Sequence, residues 1–125
     1  MSEAINNVTN PEIEKATYVE VSNLKLKNNG WYVAELDIEV FRHGLVHLDG
    51  SGKNICIGQS EEIDAGSFGV EEGEYFTVHL DVCGGKDHVG GTWFIYNKNS
   101  RKTAYFESGG TTLNNSLEFK EYIDR

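Results

Sequence analysis

Few side chains in this sequence carry nucleophilic, acid–base or metal-ligating chemistry, and their spacing decides what they can do together. There are two cysteines, Cys56 and Cys83, and four histidines, His43, His47, His79 and His88. His43 and His47 stand four apart. On a strand they share a face at a separation of roughly 13 Å, too far to chelate one ion unless the strand is broken. His79 is expected on the outward face of a strand and His88 in a glycine-rich loop, both as surface histidines. Cys83 precedes Gly84-Gly85, and no histidine is placed by sequence to activate it, so it reads as a small half-buried thiol. The stretch LDGSGKN (48–54) is like the end of a phosphate loop, but His47 stands where that motif needs glycine and Asn54 where it needs Ser or Thr. Asp49 and Ser51 open like a calcium loop, yet Ser60 holds the position of the closing glutamate. A polar turn is the expected reading. No catalytic residue, cofactor or metal site follows, and the chain is expected to bind rather than catalyse.

One other stretch invites attention. In GGTTLNNS (109–116) a lone leucine stands among small polar residues. Either Leu113 tucks back into the core, or Thr112 and Leu113 form a contact pair presented at a loop tip.

The elements that must position these residues read as strands. In WYVAELDIEVF (31–41), Tyr32, Ala34, Leu36, Ile38 and Val40 fall on one face, with Glu35, Asp37 and Glu39 towards water on the other. In EYFTVHLDVC (74–83), Phe76, Val78, Leu80 and Val82 oppose Thr77, His79 and Asp81. Shorter runs are 17–26, 54–59, 92–96, 103–108 and 116–123. In the first of them the apolar phase switches across Ser22-Asn23, which predicts a bulge or a change of sheet. Asn28-Asn29-Gly30 and Asn97-Lys98-Asn99-Ser100 are expected to turn hairpins. The pattern predicts an all-β fold, an antiparallel two-sheet β-sandwich of about seven to eight strands, with a small barrel as the alternative.

Composition bounds the rest. A length of 125 residues suits one domain, expected over 15–125 after a flexible polar leader at 1–14. The formal net charge of -9 excludes nucleic acid and charge-driven binding to anionic lipid, both of which need clustered Lys and Arg. The opening MSEAINNVTN is no signal peptide, so the expected location is cytoplasmic, or outside the cell by a route without a classical signal. Two cysteines make a disulfide framework unexpected.

Three landmarks occur in order: NGWYVAELDIEV, HLDVCGGKDHVGGTWF and ESGGTTLNNSLEF. Together, over roughly residues 17–123, they resemble the C-terminal, membrane-recognising β-sandwich of the cholesterol-dependent (thiol-activated) cytolysins. In that family a G-x-Y-V-A strand opens the domain, a Trp-rich loop begins at a Glu-Cys pair, and a GTTL loop carries a Thr-Leu pair that recognises cholesterol. The resemblance implies that Gly110-Thr111-Thr112-Leu113 is the recognition loop, with Thr112 and Leu113 in the sterol-contacting positions. It also implies that Cys83 matches the loop cysteine and that Trp93 lies near a loop tryptophan. The loop itself departs from the family in reading CGGKDHVGGTWF, with two glycine pairs, a lysine and an aspartate. The pore-forming domains that precede the sandwich in cytolysins are absent from this sequence, so the implied module is stand-alone and not pore-forming by itself.

Two ligand classes follow as expectations. One is a sterol or membrane surface, contacted by Thr111, Thr112, Leu113 and Trp93. A single leucine contributes about 1.5–3 kcal/mol on full burial, weaker than millimolar binding alone, so several copies on one surface would be needed. The other is a glycan or partner protein, with Trp93 stacking on a sugar while Asn114, Asp87 and His88 bond its hydroxyls. An exposed strand edge would also permit a homo-oligomer.

Overall fold

Short alternating runs separated by glycine and asparagine turns cannot bury their apolar faces alone, and they do so here in two stacked sheets. The computed structural model describes residues 18–125, the side chains of 49–51 excepted. The expected leader over 1–14 lies outside the described residues.

The described residues form ten strands: β1 (Glu20–Val21), β2 (Asn23–Asn28), β3 (Ala34–Arg42), β4 (Leu45–Ile55), β5 (Ser60–Asp64), β6 (Tyr75–Val82), β7 (His88–Val89), β8 (Phe94–Tyr96), β9 (Lys102–Thr111) and β10 (Asn114–Asp124). The first sheet has the order β1-β8-β6-β3-β4, with β7 beside β6, and the second has the order β10-β9-β2-β5. The all-β sandwich expected from the alternation is what forms. Tyr32, Ala34, Leu36, Ile38 and Val40 are all buried, as their shared face requires. Phe94 joins the two layers, with its ring centroid 5.9 Å from Phe76 of its own sheet and 6.0 Å from each of Phe106, Phe119 and Tyr122 of the other. These spacings lie in the favourable range for tilted and edge-on rings.

The phase switch at Ser22 is a change of sheet, because β1 belongs to the first and β2 to the second. A second crossing, between β8 and β9, runs beside it. Asn97 N donates to the Val21 carbonyl at 3.1 Å, Ser22 N to the Lys102 carbonyl at 3.2 Å, and Ser22 Oγ to the Ser100 carbonyl at 3.0 Å. Since both segments cross in the same direction, β1 pairs with β8 and β2 with β9 in parallel. The expectation of a purely antiparallel sandwich is corrected at these two ladders.

The two asparagine turns are corrected for the same reason. Neither 28–30 nor 97–100 closes a hairpin, since the strands on either side lie in different sheets. LDGSGKN is no isolated turn either. It runs inside β4 and forms a bulge, the register passing from Leu36↔Lys53 to Ile38↔Asp49.

Asn28 ends β2 and is 0% exposed. Its amide nitrogen donates to the carbonyls of Tyr32 at 2.8 Å and Ile55 at 3.0 Å. Its carbonyl oxygen accepts from Gly30 N at 2.9 Å and Ser108 Oγ at 3.0 Å. One side chain therefore ties β2 and β9 of one sheet to the entry of β3 and the end of β4 in the other. Removing it strands four buried polar groups. Asn28→Ala is expected to lower stability by about 3 kcal/mol, read from the urea midpoint at constant slope. A loss below about 1 kcal/mol would contradict this account.

Candidate functional site

The end of the sandwich beyond Asn28 gathers four loops. Trp31 N donates to the Gly110 carbonyl at 2.9 Å and Trp31 bridges to Thr111, which brings loop 29–33 onto the β9–β10 turn. Tyr32 Oη donates to the Gly109 carbonyl at 2.8 Å. Cys83 N donates to the Val33 carbonyl at 3.0 Å, which adds the turn after β6. Gly58 N donates to the Asn28 carbonyl at 2.7 Å, which adds the turn between β4 and β5.

Two glycines permit this convergence. A Cβ at Gly85 would collide with the Thr112 carbonyl, so only glycine lets the turn after β6 rest on the β9–β10 turn. Gly110, at φ 85°, takes a conformation most side chains avoid, just before the two-residue turn Thr112-Leu113.

Leu113 does not fold back. It is 89% exposed at the apex, and Trp31 beside it is 74% exposed. Val33 and Ile57 are also exposed on these loops. In a chain that is 25% charged, segments 29–33, 56–59 and 111–115 contain no Asp, Glu, Lys or Arg. Lys86 and Asp87 bring charge to the fourth loop.

The expected contact residues divide. Thr111 ends β9, Thr112 and Leu113 make the turn, and Asn114 starts β10, so these four share one end. Trp93 is placed elsewhere, because the segment after Cys83 folds back along β6 as β7 instead of standing out as a loop. The neighbouring Thr92 carbonyl accepts from Thr77 Oγ1 at 2.6 Å, and Thr77 lies five residues before the loop end of β6 at Val82. That is roughly 17 Å from the end. His88 is half-buried in β7 opposite Leu80. Cys83, expected half-buried, is exposed as the first residue past β6, and both cysteines are free.

Trp31, Val33 and Ile57 were not among the sequence candidates. A signal for the first two existed. They are apolar on the odd positions of 31–41, a phase they share with Glu35, Asp37 and Glu39 and with Phe41 at its end.

Beside this end, the outer face of β3 and β6 differs from expectation. Asp37 is 2% exposed and His79 8%, not solvated. His79 Nδ1 lies 2.7 Å from Glu39 Oε2 and its Nε2 lies 2.8 Å from Asp87 Oδ2. A neutral imidazole has only one N–H to donate, so carboxylates at both nitrogens favour the doubly protonated ring. Burial pulls the His79 pKa down, but the bonds to Asp87 and Glu39 outweigh it and hold it above the usual 6.5. Asp87 moves the opposite way. Burial would raise it, but the bond to His79 leads the effects that hold it low. Asp37 is pushed up to about 7 by burial, then by the neighbouring Glu35 carboxyl. Burial and Asp87 likewise raise Asp81. With Asp87 committed to His79, and Trp93 remote from Asn114, the four residues expected to grip a sugar do not converge.

No protein-family model matches the chain, and no curated protein matches it. Among solved structures, it is similar to part of pneumolysin at 19% identity and TM-score 0.46, over 79% of this chain and 23% of that one. For listeriolysin O the values are 13% and 0.44, over 83% and 22%. For the cytotoxin suilysin from Streptococcus suis they are 16% and 0.41, over 83% and 24%. The chain spans under a quarter of the length of each.

The outer face sets a pH dependence. Raised folded-state pKa values mean that the folded chain holds the extra protons. The contribution of Asp37 is therefore full below its ordinary 3.8 and lost as pH rises through about 7. That of His79 is full below 6.5 and lost above it. Asp87, and Glu74, which its hydrogen bond from the Arg42 guanidinium holds low, act at the acid end, their contribution lost as pH falls below the carboxylate range. In EDTA, the urea midpoint is expected to be higher at about pH 5.5 than at about pH 8. Asp37→Asn should flatten that decline, and a midpoint that rises towards pH 8 in the native sequence would contradict the argument.

Proposed function

We propose that this domain binds a lipid surface through the end carrying Trp31, Val33, Ile57 and Leu113, with Thr112 and Leu113 meeting sterol. The observation that carries the reading is an apolar end in which three of four loops lack charge, on a protein of net charge -9. Exposed large apolar side chains grouped in this way mark contact surfaces. A tryptophan at the rim suits the membrane interface, where an amphipathic ring is favoured.

Magnitudes support a modest affinity. Four apolar side chains at about 1.5–3 kcal/mol each give roughly 6–12 kcal/mol before the losses of ordering and association. The net lies between millimolar and micromolar, well above what Leu113 alone supplies. The acidic body opposes anionic lipid, so the fitting surface is zwitterionic. Cholesterol belongs in it because Gly110-Thr111-Thr112-Leu113 resembles the recognition loop of the cholesterol-dependent cytolysins.

Flotation with phosphatidylcholine vesicles, with and without cholesterol, tests the reading. The native sequence should co-float, more strongly with cholesterol. Trp31→Ala with Leu113→Gly should reduce binding at least tenfold, about 1.4 kcal/mol. Absence of co-flotation, or equal binding by the double variant, would remove the proposal. Equal binding with and without cholesterol would remove the sterol part of it.

A further inference from the structure

The outer face of the first sheet holds a second arrangement, separate from the apolar end. Glu35 and Asp81 face each other directly across β3 and β6, and Asp37 follows two residues along β3 on the same side. One carboxylate oxygen from each of the three lies within 4.8 Å of the others. Among the described residues no Lys or Arg forms an ion pair with any of them, and the imidazole of His79 is taken up by Glu39 and Asp87. Asp37 Oδ1 is shut off from water and accepts no hydrogen bond from the described residues. A buried carboxylate oxygen without a donor is a costly group, and a structure normally supplies a partner for it.

We propose that Glu35, Asp37 and Asp81 together bind one calcium ion on this face. The donors are all hard carboxylate oxygens, which suit calcium or magnesium and not a thiol- or imidazole-seeking metal. Ligand number favours calcium, which gathers six to eight oxygens in a flexible shell, whereas magnesium keeps several waters and takes one or two carboxylates. Asp37 supplies the buried anchor, and the exposed Asp81 leaves a side open for water to complete the shell.

Calorimetric titration of calcium chloride into the metal-stripped chain tests this. One ion per chain is expected, with Kd on the order of 10⁻⁴–10⁻³ M, the weak end of the range for calcium sites. Asp37→Asn and Asp81→Asn should each weaken binding at least tenfold, while Glu118→Gln on exposed β10 should leave it unchanged. Magnesium chloride should bind at least tenfold more weakly. If Asp37→Asn does not fold by circular dichroism, Asp81→Asn decides, since that side chain sits exposed near the end of β6. No calcium binding in the native sequence, undiminished binding in the folded variants, or equal binding of magnesium would overturn the proposal.

Discussion

The buried amide of Asn28 is the constraint on which the loop end depends. Its four hydrogen bonds reach the two sheets and the chain entering β3, at a point no water reaches. An aliphatic residue there would leave two carbonyls and two donors unsatisfied, and a charged one would be buried without a counterion. The loops beyond it have little core of their own. They hold their places because the backbone at 28–33, 55–59 and 108–110 is fastened to this residue and to the bonds of Trp31 and Tyr32.

The double crossing at Ser22 and at 97–101 has a comparable role at the opposite end. Two segments change sheets side by side, so parallel ladders arise without a helical connection. The core is then closed by rings centred on Phe94. Parallel pairs in an otherwise antiparallel sandwich are thus a consequence of where the chain crosses, not of local preference.

Between these fixtures the outer face of β3 and β6 concentrates charge instead of spreading it. His79 stands between Glu39 and Asp87 and pins the folded-back segment to the sheet, which is why that segment runs beside β6 and does not project. The apolar end and the acidic face are therefore neighbours built on the same two strands. One is cleared of charge and the other is crowded with it, and the turn at 83–87 belongs to both.

Sequence alone determined most of the strands, though not β4 and β5, together with the buried faces of 32–40 and 76–82, the break in phase at Ser22-Asn23 and the isolation of Leu113 among polar residues. These rest on local periodicity, which alternation in a pleated strand enforces. It could not say what lies against the second face of a strand, and so Asp37 and His79 read as solvated. Partners separated by tens of residues, such as His79 with Glu39 or Asn28 with Ser108, leave no local trace. Only the tertiary structure decided that Trp31 joins Leu113 while Trp93 does not, because that depends on a segment folding back along β6. Periodicity assigns a side chain to a face, and packing alone assigns that face to water or to the interior.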